Sequence, residues 1–362
     1  MRPPLALAAG GTGGHLFPAL ALAAELEARG RKVLLLTDAR GARFLKGRPH
    51  RLVTAGSPSG GPAAGAGGLA RLALGALQSL RVLRRERPGA LAAFGGYASV
   101  PPAVAAAPLR IPCLLHEQNA VLGRANRLVA KRARLVALAF AGTKGLPAGV
   151  AAKAVVVGNP VRPGFAAVPR PPADGRFHLL VLGGSQGARA LSDAVPEAVA
   201  GLSADLRARL RVAQQCRPED LGRVGAAYDA AGVAAELSAF FDDVPARMAA
   251  ADLVVARAGA STIAELLALA KPAFLVPYPH AADDHQRANA EALEAAGAAR
   301  LFVQAGPEYG LDAGRLGEEL ATFMNGSAAL KTMAEAAGAL ARPDAAARLA
   351  DRLLQIEQEG FA

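Results

Sequence analysis

The sequence predicts an α/β protein made of two similar domains, each a parallel sheet covered by helices. Three observations predict it. The chain has 362 residues, more than one ordinary core organises and enough for two. Short apolar runs alternate with segments of helical spacing, the pattern of strands joined by helical crossovers. The same opening occurs twice: an apolar run, a glycine-rich turn, then a helix, first at residues 5–29 and again at residues 178–200.

Taken in order, residues 5–9 read as a buried first strand that stops at Gly10-Gly11-Thr12-Gly13-Gly14. Residues 16–29 place Ala19, Leu22, Ala23 and Leu26 on one helical face. Strands follow at 33–36, 90–94, 112–115, 135–138 and 154–157. Residues 56–68, rich in Gly, Ala, Pro and Ser, read as a mobile loop. Gly158-Asn159-Pro160-Val161-Arg162-Pro163-Gly164 punctuates the chain as a linker, and residues 169–175 read as a further loop. The pattern then restarts with a strand at 178–182, the turn Gly183-Gly184-Ser185-Gln186-Gly187 and a helix to residue 200. Later strands fall at 211–213, 253–256, 273–276 and 300–303. Helices fall at 261–270, 284–296 and 313–324. A terminal helix covers 344–357, with Asp344 as its cap after Pro343.

Composition narrows the class. Hydrophobic residues make up 52% and aromatics 4%, with no Trp, so the core is built from Ala, Leu and Val. The two cysteines, Cys113 and Cys216, give neither a disulfide framework nor a CxxC metal site. The first apolar run is too short for a signal peptide. The longest apolar stretch, residues 98–115, carries Pro101, Pro102, Pro108, Arg110 and Pro112, against a membrane span. A soluble cytoplasmic protein is expected. The net charge of +11 suits phosphates, nucleic acid or anionic lipid, and equally an Arg-rich composition with no partner.

Glycine at a strand-to-helix turn permits positive φ and lets a phosphate approach the backbone, where the helix presents free N–H groups. Neither turn is a Walker motif, and Leu16 and Ala188 stand where a strict G-x-G-x-x-G would end. A tight turn without ligand would look the same. A dinucleotide site using Asp38 has a longer spacing than the usual value of about 20 residues. His15 ends the first turn near a helix start, where the dipole disfavours imidazolium and leaves a neutral proton acceptor; a histidine that only caps or packs is the alternative.

An ordered set of motifs goes further. Gly10-Gly11-Thr12-Gly13-Gly14-His15 is followed by Gly95-Gly96-Tyr97-Ala98-Ser99, His116-Glu117-Gln118-Asn119 and Gly158-Asn159-Pro160-Val161-Arg162. Then come Gly183-Gly184-Ser185-Gln186-Gly187-Ala188-Arg189, Arg257-Ala258-Gly259-Ala260 and Gln286 with Asn289-Ala290. Together, over nearly the whole chain, they closely resemble the MurG family of UDP-N-acetylglucosamine:undecaprenyl-diphospho-N-acetylmuramoyl-pentapeptide transferases of peptidoglycan synthesis. The resemblance implies the GT-B fold, two Rossmann-like domains with parallel sheets facing a central cleft. It assigns residues 1–160, joined by a returning helix at 344–362, to acceptor and membrane, and residues 161–343 to UDP-GlcNAc. It implies an inverting transfer of GlcNAc to the muramoyl 4-hydroxyl of lipid I, giving lipid II.

The resemblance also implies site residues. For the donor these are Glu265 on the ribose, Ser185 in the second turn, Phe241 through its backbone at the uracil edge, Gln286 and Asn289 at the GlcNAc hydroxyls, and Arg162 in the linker. The segment Arg257, Ala260, Ser261 and Thr262 faces the UDP phosphates, Ser261 being a good N-cap. For the acceptor they are Thr12, Gly13 and Gly14 around the diphosphate, with Gly95, Gly96 and Tyr97 as a second small-residue loop. Thr12, Gly13, Gly14 and Asn119 also border the donor sugar. His15 is the expected base, Glu117 its competitor, and Arg257 a stabiliser of the leaving UDP. Asp242-Asp243 and Asp283-Asp284 are read as surface or loop carboxylates, and neither a bound metal nor another cofactor is expected.

Leu69, Leu72, Leu77, Leu80 and Leu83 recur at helical spacing beside Arg71, Arg81, Arg84, Arg85 and Arg87. That is the pattern of an interfacial helix on anionic lipid, or of a helix packed on its own sheet. Expected partners are UDP-GlcNAc, lipid I, the anionic cytoplasmic face of the inner membrane and other cell-wall synthesis proteins, with no nucleic acid. A UDP-GlcNAc 2-epimerase of the same fold is the enzyme rival. A basic nucleic-acid-binding protein is the other, although zinc-finger spacing, an RNP motif and a basic tail are missing from the sequence.

Overall fold

Seven short apolar runs pair in one parallel sheet: β1 (Leu5–Ala8), β2 (Val33–Thr37), β3 (Arg51–Leu52), β4 (Ala90–Ala93), β5 (Cys113–Glu117), β6 (Leu135–Leu138) and β7 (Ala154–Val156). A computed structural model describes residues 2–45, 47–58, 62–165, 168–169, 174–184, 188–305 and 310–360. The strand order is β3-β2-β1-β4-β5-β6-β7, so chain direction across the sheet reverses between β1 and β4. Strands covered by helices on both faces read as continuous apolar runs, and every residue of β1 and β4 is at most 1% exposed. The connecting helices are α1 (Gly13–Ala28), α2 (Ala39–Ala42), α3 (Pro62–Glu86), α4 (Val100–Ala106) and α5 (Arg124–Val129).

The second sheet repeats the design with β8 (Phe177–Leu182), β9 (Leu210–Gln215), β10 (Ala234–Ser238), β11 (Leu253–Ala256), β12 (Ala273–Leu275) and β13 (Arg300–Leu301). Its order is β10-β9-β8-β11-β12-β13, again parallel, and it reverses between β8 and β11. Its helices are α6 (Arg189–Ala200), α7 (Ala204–Arg209), α8 (Leu221–Ala230), α9 (Val244–Ala250), α10 (Ala260–Ala268), α11 (His285–Ala295), α12 (Ala313–Asn325) and α13 (Ser327–Leu340). The last helix, α14 (Ala345–Glu359), belongs to the first sheet's unit. The chain divides into unit 1, Met1–Pro163 with Arg342–Ala362, and unit 2, Gly164–Ala341.

α14 buries Leu349, Ala350, Leu353 and Ile356 against α1 and the β4–β5 face. Arg31 donates to both Glu357 oxygens, at 2.7 and 2.5 Å, and to the Pro3 carbonyl. The Arg31 side chain is 5% and the Glu357 side chain 14% exposed. Removing one partner of such a pair strands the other charge. Glu357→Ala should therefore cost unit 1 about 3 kcal/mol, read as a lower midpoint in denaturant.

Several sequence expectations need correction. Residues 62–68 are not a loop: α3 begins at Pro62, a residue tolerated at a first helical position. Its glycines serve close approach. A methyl on Gly68 would strike the Ser57 carbonyl, and one on Gly75 the Thr54 carbonyl. Residues 98–115 also hold a helix that the sequence reading did not predict: Pro101 and Pro102 occupy the first turn of α4. Asp344 holds the N-cap position of α14 but makes no cap bond, its carboxylate instead accepting from Arg348 at 2.6 Å.

Candidate active site

In open α/β sheets ligands bind at the carboxyl ends of the strands where the order reverses. In unit 1 that point lies between the turns that follow β1 and β4, which are the Gly10–His15 and Gly95–Tyr97 motifs. Gly11 (φ +84°), Gly95 (φ +87°) and Gly96 (φ +68°) lie in the left-handed region that only glycine occupies cheaply. A Cβ on Gly96 would sit 2.5 Å from the Gly10 carbonyl and 3.3 Å from His15 Cδ2, so the two loops touch only because both are bare. Asp38 accepts from the Gly11 N–H at 3.0 Å and the Gly41 N–H at 2.9 Å. The carboxylate therefore braces the turn from within unit 1.

Thr12 is the N-cap of α1 without a side-chain cap bond, so the N–H groups of Gly13 and Gly14 are not covered by its hydroxyl, while the His15 N–H donates to the Thr12 carbonyl at 3.3 Å. His15 is half-buried. Its Nδ1 lies 3.0 Å from Gln118 Oε1, and its Nε2 has no hydrogen-bond partner among the described residues. Glu117 is 1% exposed. One of its oxygens accepts from the Asn119 backbone at 3.0 Å and the Asn119 amide at 3.1 Å; the other accepts from the Gly123 N–H at 2.9 Å and Asn126 Nδ2 at 2.7 Å. Four donors saturate a carboxylate, leaving no lone pair directed at a substrate hydroxyl. Asn126 Oδ1, beside Gly95, is buried with no partner among the described residues. Tyr97 and Asn119 are half-buried near these loops. Arg162 stacks on Phe17, its guanidinium carbon 4.7 Å from the ring centre, and Phe17 lies two residues beyond His15 on α1.

In unit 2 the reversal lies between the turns after β8 and β11. Ser185 falls outside the described residues. After β11, α10 starts at Ala260 with Gly259 as N-cap and no side-chain cap, so Ser261 is a first-turn residue and not the cap. Ser261 Oγ is buried without a partner among the described residues, Thr262 is half-buried, and Glu265, one turn on, is 7% exposed. Asn289 is fully buried and donates to the Ala258 carbonyl at 3.1 Å, pinning this turn from α11. Gln286 Oε1 accepts the Tyr278 N–H at 3.0 Å, which fixes its amide orientation. Arg257 donates to the Val276 and Pro277 carbonyls at 3.1 and 3.0 Å and to Gln304; burial pushes its guanidinium down to about 10. Phe241 is 5% exposed, its ring under Arg247 at 4.1 Å. Among the described residues no cluster of three or more His, Cys, Asp or Glu is placed to hold a metal ion.

The sequence reading missed His116 and Gln118 as site residues. The signal was present: they stand two apart at the end of a strand, where alternate side chains share a face. Gln118 is 1% and His116 0% exposed.

Two parallel sheets, each with an uncapped helix start at its reversal point and one of them carrying an accessible imidazole, define a two-domain enzyme equipped for phosphate-bearing substrates. Comparison with known proteins makes this specific. Residues 5–138 match the glycosyltransferase family 28 N-terminal domain, and residues 178–349 match the family 28 C-terminal domain. The chain belongs to glycosyltransferase family 28. It is 50% identical over 360 residues to the UDP-N-acetylglucosamine--N-acetylmuramyl-(pentapeptide) pyrophosphoryl-undecaprenol N-acetylglucosamine transferase of Rhodospirillum rubrum, covering 96% of this chain and 90% of that one. It is similar to the crystal structure of Acinetobacter baumannii MurG, with TM-score 0.80 and 31% identity over 98% of this chain and all of that one (100%). The UDP-GlcNAc 2-epimerase of Neisseria meningitidis bound to UDP-GlcNAc shares the fold, with TM-score 0.68 and 12% identity over 98% of this chain and 100% of that one.

Proposed function

We propose that this chain transfers GlcNAc from UDP-GlcNAc to the muramoyl 4-hydroxyl of undecaprenyl-diphospho-MurNAc-pentapeptide, converting lipid I to lipid II. The observation that carries the reading is the pair of uncapped helix starts, each at its own sheet's reversal point. The α1 start, with Thr12, Gly13 and Gly14, receives the acceptor diphosphate, and Gly95, Gly96 and Tyr97 admit its approach. The α10 start, with Ala260, Ser261 and Thr262, receives the UDP diphosphate, Glu265 accepts from the ribose hydroxyls, and Gln286 reads the sugar. His15 Nε2 takes the proton of the 4-hydroxyl as that oxygen bonds to the anomeric carbon. The anomeric bond to UDP breaks, its electron pair leaves with UDP, and the linkage inverts from α to β. Helix N–H groups stabilise the leaving diphosphate. Arg257 supports the strand ends beneath this site, its guanidinium being bonded inward to Val276, Pro277 and Gln304.

The test is UDP release from UDP-GlcNAc with and without a lipid I analogue. Acceptor-dependent release supports the transfer. Formation of UDP-ManNAc from UDP-GlcNAc alone would instead establish the epimerase.

The protein acts peripherally at the cytoplasmic face of the membrane. No helix among the described residues is long and apolar enough to cross one. The leucine stripe of α3 divides by burial: Leu83 is buried and Leu72 and Leu80 pack on the core of unit 1, whereas Leu69, Leu74 and Leu77 are 60%, 50% and 58% exposed. Arg71, Arg81, Arg84, Arg85 and Arg87 are exposed as well. Exposed leucines rimmed by arginine suit an anionic headgroup layer. Replacing Leu74 and Leu77 by Glu should reduce recruitment to anionic vesicles at low salt roughly tenfold while leaving folding intact. Unchanged sedimentation with vesicles would remove α3 from the membrane contact.

A further inference from the structure

The hydrogen bonds around His15 form a single chain that ends on backbone oxygen. His15 Nδ1 meets Gln118 Oε1 at 3.0 Å, Gln118 Nε2 meets His116 Nδ1 at 2.9 Å, and His116 Nε2 meets the Gly158 carbonyl at 3.0 Å. Gln118 Nε2 also lies 3.2 Å from the His116 carbonyl. A carbonyl only accepts, so the proton positions are determined from that end. His116 must carry its proton on Nε2 to donate to Gly158. Its Nδ1 is then a lone pair and requires a donor, which is the Gln118 amide nitrogen. The reversed amide would set oxygen against the His116 carbonyl oxygen. Gln118 Oε1 therefore faces His15 and accepts, so His15 carries its proton on Nδ1 and keeps the lone pair on Nε2.

We infer that Gln118 is a positioning residue, held by His116, that fixes the His15 tautomer with Nε2 as the proton acceptor. The inference rests on the reading of His15 as the base. Each member has a physical reason to stay as it is. Burial holds the His116 imidazole down to about 4, so it stays neutral and does not donate from both nitrogens. His116 is seated on β5 beside Phe94, ring centres 5.5 Å apart. Gly158, at φ +90°, packs so closely on Arg342 that a Cβ there would lie 2.6 Å from the arginine Cβ, which fixes the carbonyl at the end of the chain. An amide replaces the carboxylate that orients the histidine in a Ser-His-Asp triad: it selects the tautomer without adding charge.

Ring-nitrogen NMR of isotope-labelled histidine in the full-length protein tests this directly. The expected wild-type pattern is His15 protonated on Nδ1 and His116 on Nε2. Gln118→Met, similar in volume but without an amide, should give His15 a mixed tautomer. It should lower kcat roughly 10- to 100-fold with KM for UDP-GlcNAc held within about twofold. Wild-type His15 protonated on Nε2 overturns the inference whatever the variants do. So does an unchanged tautomer or an unchanged kcat in Gln118→Met. Full turnover in His15→Ala removes the base reading instead, so the two failures are distinct.

Discussion

Replacing His15 by Ala should lower kcat by about 10²- to 10⁴-fold, the usual worth of a positioned general base, while the equilibrium Kd for UDP-GlcNAc is unchanged. His15 lies in the first turn of α1, and its only side-chain hydrogen bond among the described residues is the one to Gln118. The variant thus removes a proton acceptor and no structural tie beyond that bond. Steady-state turnover with a lipid I analogue, paired with calorimetric titration of UDP-GlcNAc, separates the chemical step from donor binding. Undiminished turnover in a variant that still binds the donor would eliminate His15 as base.

Glu117→Gln should destabilise the protein severely. The carboxylate accepts four N–H bonds in a site that is 1% exposed. An amide of the same shape must turn its NH₂ toward the two donors that one carboxylate oxygen had served, setting donor against donor. The expected cost is about 3–5 kcal/mol, or a fall in Tm of roughly 6–20 °C for a unit of this size. Activity should fall with the folded fraction and return on cooling. A folded Glu117→Gln protein with wild-type Tm and lost turnover would move the base from His15 to Glu117.

The alternation of strands and helices was legible because a parallel sheet buries both faces, so β1, β4, β5 and β6 stand out as apolar runs. Two of the four edge strands, β3 and β10, escaped for the same reason. β3 is two exposed residues, Arg51 and Leu52, and β10 is exposed or half-buried throughout, so neither carries the apolar mark. The first turns of α3 were hidden because glycine composition does not reveal whether a bare position is slack or pressed against a neighbouring backbone. In the site, the glycine turns and His15 were visible as local motifs. The Gln118 contact was not: its partner is 103 residues away, and only the parallel pairing of β1 with β4 and of β4 with β5 brings the two loops to the same end of the sheet.

The place of α14 in chain order has a consequence during synthesis. Unit 1 lacks the helix carrying Leu349, Leu353 and Ile356 until the ribosome has translated past residue 341, by which time all of unit 2 has been made. Unit 2 is an uninterrupted segment and can complete its core first, reversing the ordinary N-to-C sequence of domain folding. In that interval the α1 and β4 surface awaiting α14, which includes Leu22 and Ala90, is open to water.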